Sequence, residues 1–301
     1  MIIGGTGFIG FHLAKKCLKK NLQVFSISSN KPKKKRLLKN VKYLHCDISN
    51  KRALNKKINS EFDYVVNLGG YVNHNEKKKT FQSHYIGCKN LVDIFKKKKI
   101  ISFIQIGSCV EYGSKRSPQS ENFVNSIKKL KSTYGKAKLS ATNFLLDLFK
   151  KSKFPTTILR LYLVYGPRQE PNRLISSTIQ SCLLKKKFPC SNGNQYRDFL
   201  YIDDLIEAII NCFGNNQSIG KIINIGQGQP LLVKEVIKKI NMKIGSGIPE
   251  YGKIKFRKDE IINLYPNIRI AKKILKWKPK ISFNKGINLT IKYYKSELKK
   301  N

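Results

Sequence analysis

The stretch Gly4-Gly5-Thr6-Gly7-Phe8-Ile9-Gly10 lies between a short apolar run, residues 1–3, and an amphipathic segment, Phe8–Lys19, with helical spacing. Glycines three apart at a strand-to-helix turn answer three needs of a pyrophosphate: a tight turn, close backbone approach, and close helix–sheet packing. The helix N-terminus adds unpaired N–H groups and the positive end of its dipole. The loop therefore predicts dinucleotide binding through Gly4, Gly7, Phe8, Ile9 and Gly10. Its leading strand has only three residues, so either that strand is unusually short or the start of the chain is misassigned.

Working outward, β-branched runs alternate with longer amphipathic ones. Strands are expected at Val24–Ser28, Val41–His45, 64–68, 101–106 and 156–162, and helices at 51–58, 81–97 and 132–151. Such alternation, with strands that do not alternate polar and apolar, predicts an α/β fold: a Rossmann-type doubly wound parallel sheet. After Gly166-Pro167 the texture changes. A loop region runs to Tyr201-Ile202-Asp203-Asp204, a helix follows through Cys212, and then come a strand Ile222–Ile225, a helix from Val233 and a terminal helix over 283–300. The expected division is a dinucleotide-binding domain, residues 1–165, and a smaller substrate-binding domain, residues 166–301, partly interleaved with the sheet.

The chain has 301 residues, 60 Lys+Arg against 18 Asp+Glu, and a formal net charge of +42. With 41% hydrophobic residues it is globular, because a disordered chain of such charge would lack that apolar content. No run reaches the roughly 20 apolar residues of a membrane span. The first fourteen residues carry no basic residue before their apolar run, so no secretory signal is expected and the location is expected to be cytoplasmic. Seven Cys form no CxxC pair, and with four scattered His they indicate a reduced compartment and no metal site. The charge invites a nucleic-acid reading. Only nine of the cations are Arg, however, and the Lys are spread in short runs such as Lys33-Lys34-Lys35 and Lys185-Lys186-Lys187. No nucleic-acid signature accompanies them, so the surplus reads as a solvated lysine coat without a nucleic-acid partner.

An acidic residue about 20 positions after the loop would bind the adenosine ribose and favour NAD. Here the second strand ends Ser26-Ile27-Ser28-Ser29-Asn30, followed by Lys31, Lys33 and Arg36. Hydroxyls and cations suit a 2′-phosphate, so NADP is favoured over NAD, with Ser28 on the ribose side. Asp47 is an adenine-side candidate, and Leu68-Gly69-Gly70 ends a strand where backbone can pass close to the cofactor. Tyr134 and Lys138 share one helical face at i,i+4. An ammonium near a phenol favours phenolate and brings it toward acid–base use. Ser108 closes the fifth strand at the carboxyl edge, where such sheets bind ligands, and could hydrogen-bond the reacting oxygen.

These motifs together make the sequence similar to the extended short-chain dehydrogenase/reductases of the nucleotide-sugar epimerase/dehydratase family. The resemblance runs through Asp47-Ile48, Ser108 before Glu111-Tyr112-Gly113, and Tyr134-Gly135-Lys136-Ala137-Lys138. It continues through Arg160, Val164-Tyr165-Gly166-Pro167, Tyr196-Arg197-Asp198-Phe199, Ile202-Asp203-Asp204 and Leu275-Lys276-Trp277-Lys278-Pro279. It implies Tyr134 and Lys138 as the catalytic pair assisted by Ser108, and Ile48 beside Asp47 at the cofactor. It also implies a nucleotide-sugar substrate whose diphosphate is gripped by Arg197 and Arg257, with Asn172 and Arg173 on the substrate side, and a homodimer through helices 81–97 and 132–151. Departures narrow the reaction. The 4,6-dehydratases of the family carry Asp-Glu directly after the site Ser or Thr; here those places are Cys109 and Val110. Leu163 and His84 stand where relatives often have Asn, and His84 is either a ligand contact or a packed histidine. The implied activity is an NAD(P)-dependent epimerase/4-ketoreductase at sugar carbon 4 of an NDP-(6-deoxy)hexose, in surface polysaccharide synthesis. The alternatives are a redox-neutral 4-epimerase with tightly held NAD and a catalytically silent dinucleotide sensor.

Overall fold

The structure, a computed structural model, describes residues 1–256 and 260–299. Its centre is a seven-stranded sheet of β1 (Ile2–Ile3), β2 (Val24–Ser28), β3 (Val41–His45), β4 (Tyr64–Asn67), β5 (Ser102–Ser108), β6 (Thr156–Leu161) and β10 (Ile222–Ile225). The order is β10-β6-β5-β4-β1-β2-β3, and every pairing is parallel. This is the Rossmann-type doubly wound arrangement, whose direction reverses between β1 and β4. β1 has two residues, and Met1 O extends its pairing by accepting from Val66 N at 2.9 Å.

The strands form where both faces can be covered. Every residue of β6 is buried, and β5 is buried up to Ser108, as parallel strands with helices on both faces require. On one face α2 (Lys51–Lys57), α4 (Gly87–Phe95) and α5 (Thr133–Ser152) cover a core that includes Leu54, Leu91, Phe95, Phe103 and Leu145. On the other, α1 (Phe8–Lys19), α6 (Leu174–Leu183), α7 (Ile202–Ile210), α8 (Val233–Ile244) and α10 (Phe283–Leu298) enclose a second core around Leu13, Leu159, Ile179, Leu205 and Ile237. All seven Cys are free and buried, Cys17, Cys182, Cys190 and Cys212 in this second core and Cys46 and Cys88 in the first.

A smaller sheet is built around β9 (Tyr196–Tyr201), which pairs with β7 (Leu163–Tyr165), β11 (Pro230–Leu232) and β13 (Asn263–Leu264), while β8 (Lys187–Pro189) pairs with β12 (Ile248–Glu250). The expected strand 156–162 ends at Leu161, and the chain then crosses to this sheet as β7. α9 (Arg269–Ile274) and the Trp277 segment close the back: Trp277 Nε1 donates to Asp204 O at 2.9 Å, and the Asp204 carboxylate accepts Lys280 N and Ile281 N at 2.9 Å each.

Two helices differ from expectation. The one placed at 81–97 starts earlier, as α3 (Lys77–Phe81), passes through a π-helical turn at Gln82–Ile86, and ends as α4 at Phe95. Its first turn is Lys77-Lys78-Lys79, which carries no apolar period to announce it. α6 lies in what reads as loop, because Leu-Ile-Ser-Ser-Thr-Ile-Gln-Ser-Cys-Leu is rich in Ser and Thr, weak helix formers. The terminal helix is described to Leu298; the expected end at residue 300 lies outside the described residues.

Candidate active site

The carboxyl ends of the sheet strands gather the dinucleotide candidates. Gly4 has φ +78°, and a Cβ there would lie 3.1 Å from the Leu68 carbonyl carbon and 3.2 Å from Gly69 N. A Cβ on Gly10 would meet Gly4 O at 2.4 Å, so helix α1 crosses the loop in contact with its backbone. Gly7 caps α1 with no side-chain hydrogen bond, and Phe8 and Ile9 form its first turn, which leaves the opening amides to an anion. Ser28 Oγ accepts from Thr6 N at 3.4 Å. Asp47 is exposed and accepts Ser49 N at 2.8 Å, while Ile48 is buried against Gly69 and Gly87, with no room for a Cβ on either glycine. Gly4, Gly7, Gly10, Leu68 and Gly69 thus form a glycine-lined cradle of closely approaching backbone, and Ser28 is tied to its loop through Thr6 N.

One sequence expectation narrows here. Arg36 is buried at 3% exposure, pairs with Glu170 at 2.9 Å and donates to Arg168 O. It joins the adenosine-side loop to the segment after Pro167, where Lys33 also reaches Glu170 at 3.6 Å, so two of the three cations read after the second strand engage one carboxylate.

Ser108, Tyr134 and Lys138 come together at the end of β5. Ser132 caps α5 by accepting Gly135 N at 3.0 Å, which fixes the first turn where Tyr134 sits. The Tyr134 phenol shares a hydrogen bond with Ser108, and burial pushes its pKa up to about 12 against that bond. Lys138 Nζ donates to Ile106 O at 2.6 Å and stands 5.9 Å from the Tyr134 ring centre. Burial pulls the Lys138 ammonium down to about 8, with the Glu111 charge opposing. Cys109 is buried, and burial lifts its thiol to about 12, so it behaves as a small neutral side chain.

Two histidines border Tyr134. His74 stacks on its ring at 4.0 Å between centres and 11° between planes, and His84 meets it edge-on at 5.0 Å. His84 lies in the π turn, is buried, and its Nε2 is 3.2 Å from Tyr71 O; burial lowers its pKa to about 2, so it is neutral. It is packed against Tyr134, but its buried Nδ1 lacks a hydrogen-bond partner among the described residues. His74 went unremarked in the sequence, where no local motif marks it.

The substrate-side candidates separate. Asn172 and Arg173 are exposed, and Arg173 is near enough to Tyr134 to favour its phenolate. Arg197 is largely buried, donates to Tyr196 O at 2.8 Å and Ile262 O at 3.1 Å, and pairs with Glu260. Arg257 lies outside the described residues. Leu163 opens β7 with 40% exposure.

A glycine-lined cradle on a doubly wound sheet, with a tyrosine–lysine pair at its carboxyl edge, is the arrangement of the extended short-chain dehydrogenase/reductases. The chain belongs to the NAD dependent epimerase/dehydratase family, whose model matches residues 1–226, and it is an enzyme of that family. It is 27% identical to an uncharacterized UDP-glucose epimerase of Bacillus subtilis, over 98% of both chains. It is 25% identical to a UDP-N-acetyl-alpha-D-glucosaminuronate decarboxylase of Bacillus cytotoxicus, over 98% of this chain and 97% of that one. Among solved structures, UDP-glucuronic acid 4-epimerase from Bacillus cereus, in complex with UDP-glucuronic acid and NAD, superposes with a TM-score of 0.86. That match has 26% identity and covers 98% of each chain.

Proposed function

We propose that the protein is an NAD(P)-dependent nucleotide-sugar epimerase/4-ketoreductase that works at sugar carbon 4 of an NDP-(6-deoxy)hexose for surface polysaccharide synthesis. One observation carries this reading: Tyr134, Ser108 and Lys138 converge at the end of β5, while the two residues after Ser108 are Cys109 and Val110. The 4,6-dehydratases that the sequence resembles carry Asp-Glu at those two places; a neutral buried thiol and a valine stand there instead, which favours the epimerase/reductase reading. Relatives include epimerases and decarboxylases of UDP-sugars, which supports the sugar-nucleotide substrate.

A bound nicotinamide would supply or accept the hydride at carbon 4. The chain's own residues do the rest. Tyr134 gives its proton to the carbon-4 oxygen in the reductive direction and takes it back in the oxidative one. Ser108 donates to the same oxygen and polarises it, and the Lys138 ammonium favours the Tyr134 phenolate. Gly4, Gly7, Phe8, Ile9, Gly10, Asp47, Ile48, Leu68 and Gly69 hold the dinucleotide. Asn172, Arg173, Arg197 and Arg257 are assigned to the sugar nucleotide, with the diphosphate displacing Glu260 from Arg197. NADP is favoured over NAD because Ser28 stands where a ribose-binding carboxylate would be, beside Lys31. The active form is a cytoplasmic homodimer through α4 and α5.

The test is turnover of an NDP-4-keto-6-deoxyhexose with NADPH by the wild type and by Tyr134→Phe. Loss of a proton donor predicts a fall in kcat of about 10²–10⁴-fold with dinucleotide affinity retained. Unchanged turnover in Tyr134→Phe would sink the reading. The redox-neutral 4-epimerase is the outcome if the purified protein carries NAD and interconverts sugar nucleotides without consuming NADPH.

A further inference from the structure

Behind Ser108 lies a buried polar cluster that the hydride chemistry does not itself use. Glu111 is 0% exposed. One carboxylate oxygen accepts Ser108 N at 2.8 Å; the other accepts Thr142 Oγ1 at 2.8 Å and Arg160 Nε at 2.9 Å. Three elements are joined by one carboxylate: the end of β5 with Ser108, the face of α5 with Tyr134 and Lys138, and β6 with Arg160. Thr142 is one turn beyond Lys138 and two beyond Tyr134, so all three lie along one stripe of α5. The backbone makes room for this carboxylate, because a Cβ on Gly107 would come within 2.6 Å of Glu111 Oε1. Arg160 is itself held, 4.3 Å over the Tyr112 ring, whose hydroxyl donates to Asn224 Oδ1 at 2.7 Å on β10.

We propose that Glu111, ion-paired to Arg160, is the positioning residue of this site: it sets the spacing of Ser108 against Tyr134 and Lys138 by bridging the β5 end to Thr142. The inference rests on the proposed roles of those three residues. A buried ion pair is a poor source of stability, since desolvation offsets the attraction. Its two hydrogen-bonded ends, on the strand end and on the helix, are what a site of fixed geometry requires. Electrostatics agree in direction. The Glu111 charge raises the pKa of both Lys138 and Tyr134. The other groups facing Lys138 are Cys88, His84 and Tyr134; those facing Tyr134 are Ser108, Cys109, His74, His84, Lys138 and Arg173.

The experiment compares Glu111→Gln and Thr142→Val with the wild type in steady-state kinetics across pH, alongside cofactor affinity by fluorescence titration. Glu111→Gln keeps the shape and removes the charge, so Tyr134 and Lys138 both titrate lower. The alkaline limb of kcat then moves to lower pH by about one unit, the scale of a nearby charge. Thr142→Val removes only the helix tether: kcat falls at least about tenfold at unchanged cofactor affinity, with the limb in place. A limb that stays put in a folded Glu111→Gln overturns the proposal. If Glu111→Gln does not fold, Thr142→Val decides alone, and kcat within twofold of the wild type overturns it. Tyr134→Phe run in parallel separates the two readings: an active Tyr134→Phe refutes the assigned chemistry, while an inactive one with unmoved Glu111 and Thr142 variants refutes only this inference.

Discussion

At the scale of the residue, Gly70 and His84 form an interlocked pair beside Tyr134. A Cβ on Gly70 would lie 1.8 Å from His84 Cε1, far inside contact distance, so the imidazole occupies the volume that any other residue at 70 would claim. Gly70→Ala is therefore expected to destabilise by about 1–3 kcal/mol through overpacking, and His84→Ala in the same chain should recover much of that loss. Denaturant midpoints of the two single variants and the double check it; additive losses would contradict the interlock. Ser108, Tyr134 and Lys138 were legible in the sequence because each sits in a short motif with a fixed local spacing. Glu111 was visible as a letter in Glu111-Tyr112-Gly113 but not as a functional group. Its partners Thr142 and Arg160 are 31 and 49 residues away, a distance no local pattern spans. Arg36 shows the converse: a cation beside the adenosine site in sequence is committed in space to Glu170.

At the scale of the element, β2 and β10 fall where their largely buried β-branched runs predict, and the edge strand β3 also keeps its expected bounds although none of its residues is buried. What escaped were elements defined by tertiary partners. β7 is a three-residue strand that exists because β9 is beside it, and α6 is a Ser- and Thr-rich helix held by packing against α8. The segment from Trp277 to Ile281 is another such case, secured by Asp204 at the start of α7. Asp204→Ala removes the acceptor of two backbone N–H groups. It should cost about 2–4 kcal/mol, at roughly 1–2 for each amide left without a partner. Urea unfolding reads this as a lower midpoint at unchanged slope; a midpoint equal to the wild type would show that the segment holds itself.

At the scale of the whole molecule, two imidazoles are kept neutral by burial. His12, 2.9 Å from Pro167 O, is lowered to about 4, and His84 to about 2, from the ordinary 6.5. The folded state thus binds fewer protons than the unfolded chain below pH 6.5. The stability from these two groups is complete above that pH and is lost as pH falls: to about 4 for His12 and further for His84. Each contributes a slope of about 1.4 kcal/mol per pH unit within its window. Unfolding free energies between pH 4.5 and 6.5 should show the slope reduced by that amount in His12→Asn. An equal slope in the variant would mean that His12 is protonated in the fold. The net charge of +42 at pH 7 adds a general repulsion that grows as pH falls further below the isoelectric point near 10.1.

The seven buried thiols give this molecule an unusual relation to oxidants. No sulfur is at the surface to meet another, so neither cross-linking between copies nor disulfide scrambling within one can begin until the fold opens. Conformational opening, not thiol chemistry, is then the gate to oxidative damage. With Cys17, Cys182, Cys190 and Cys212 on one side of the sheet and Cys46 and Cys88 on the other, the sulfur that reacts first records which layer came apart.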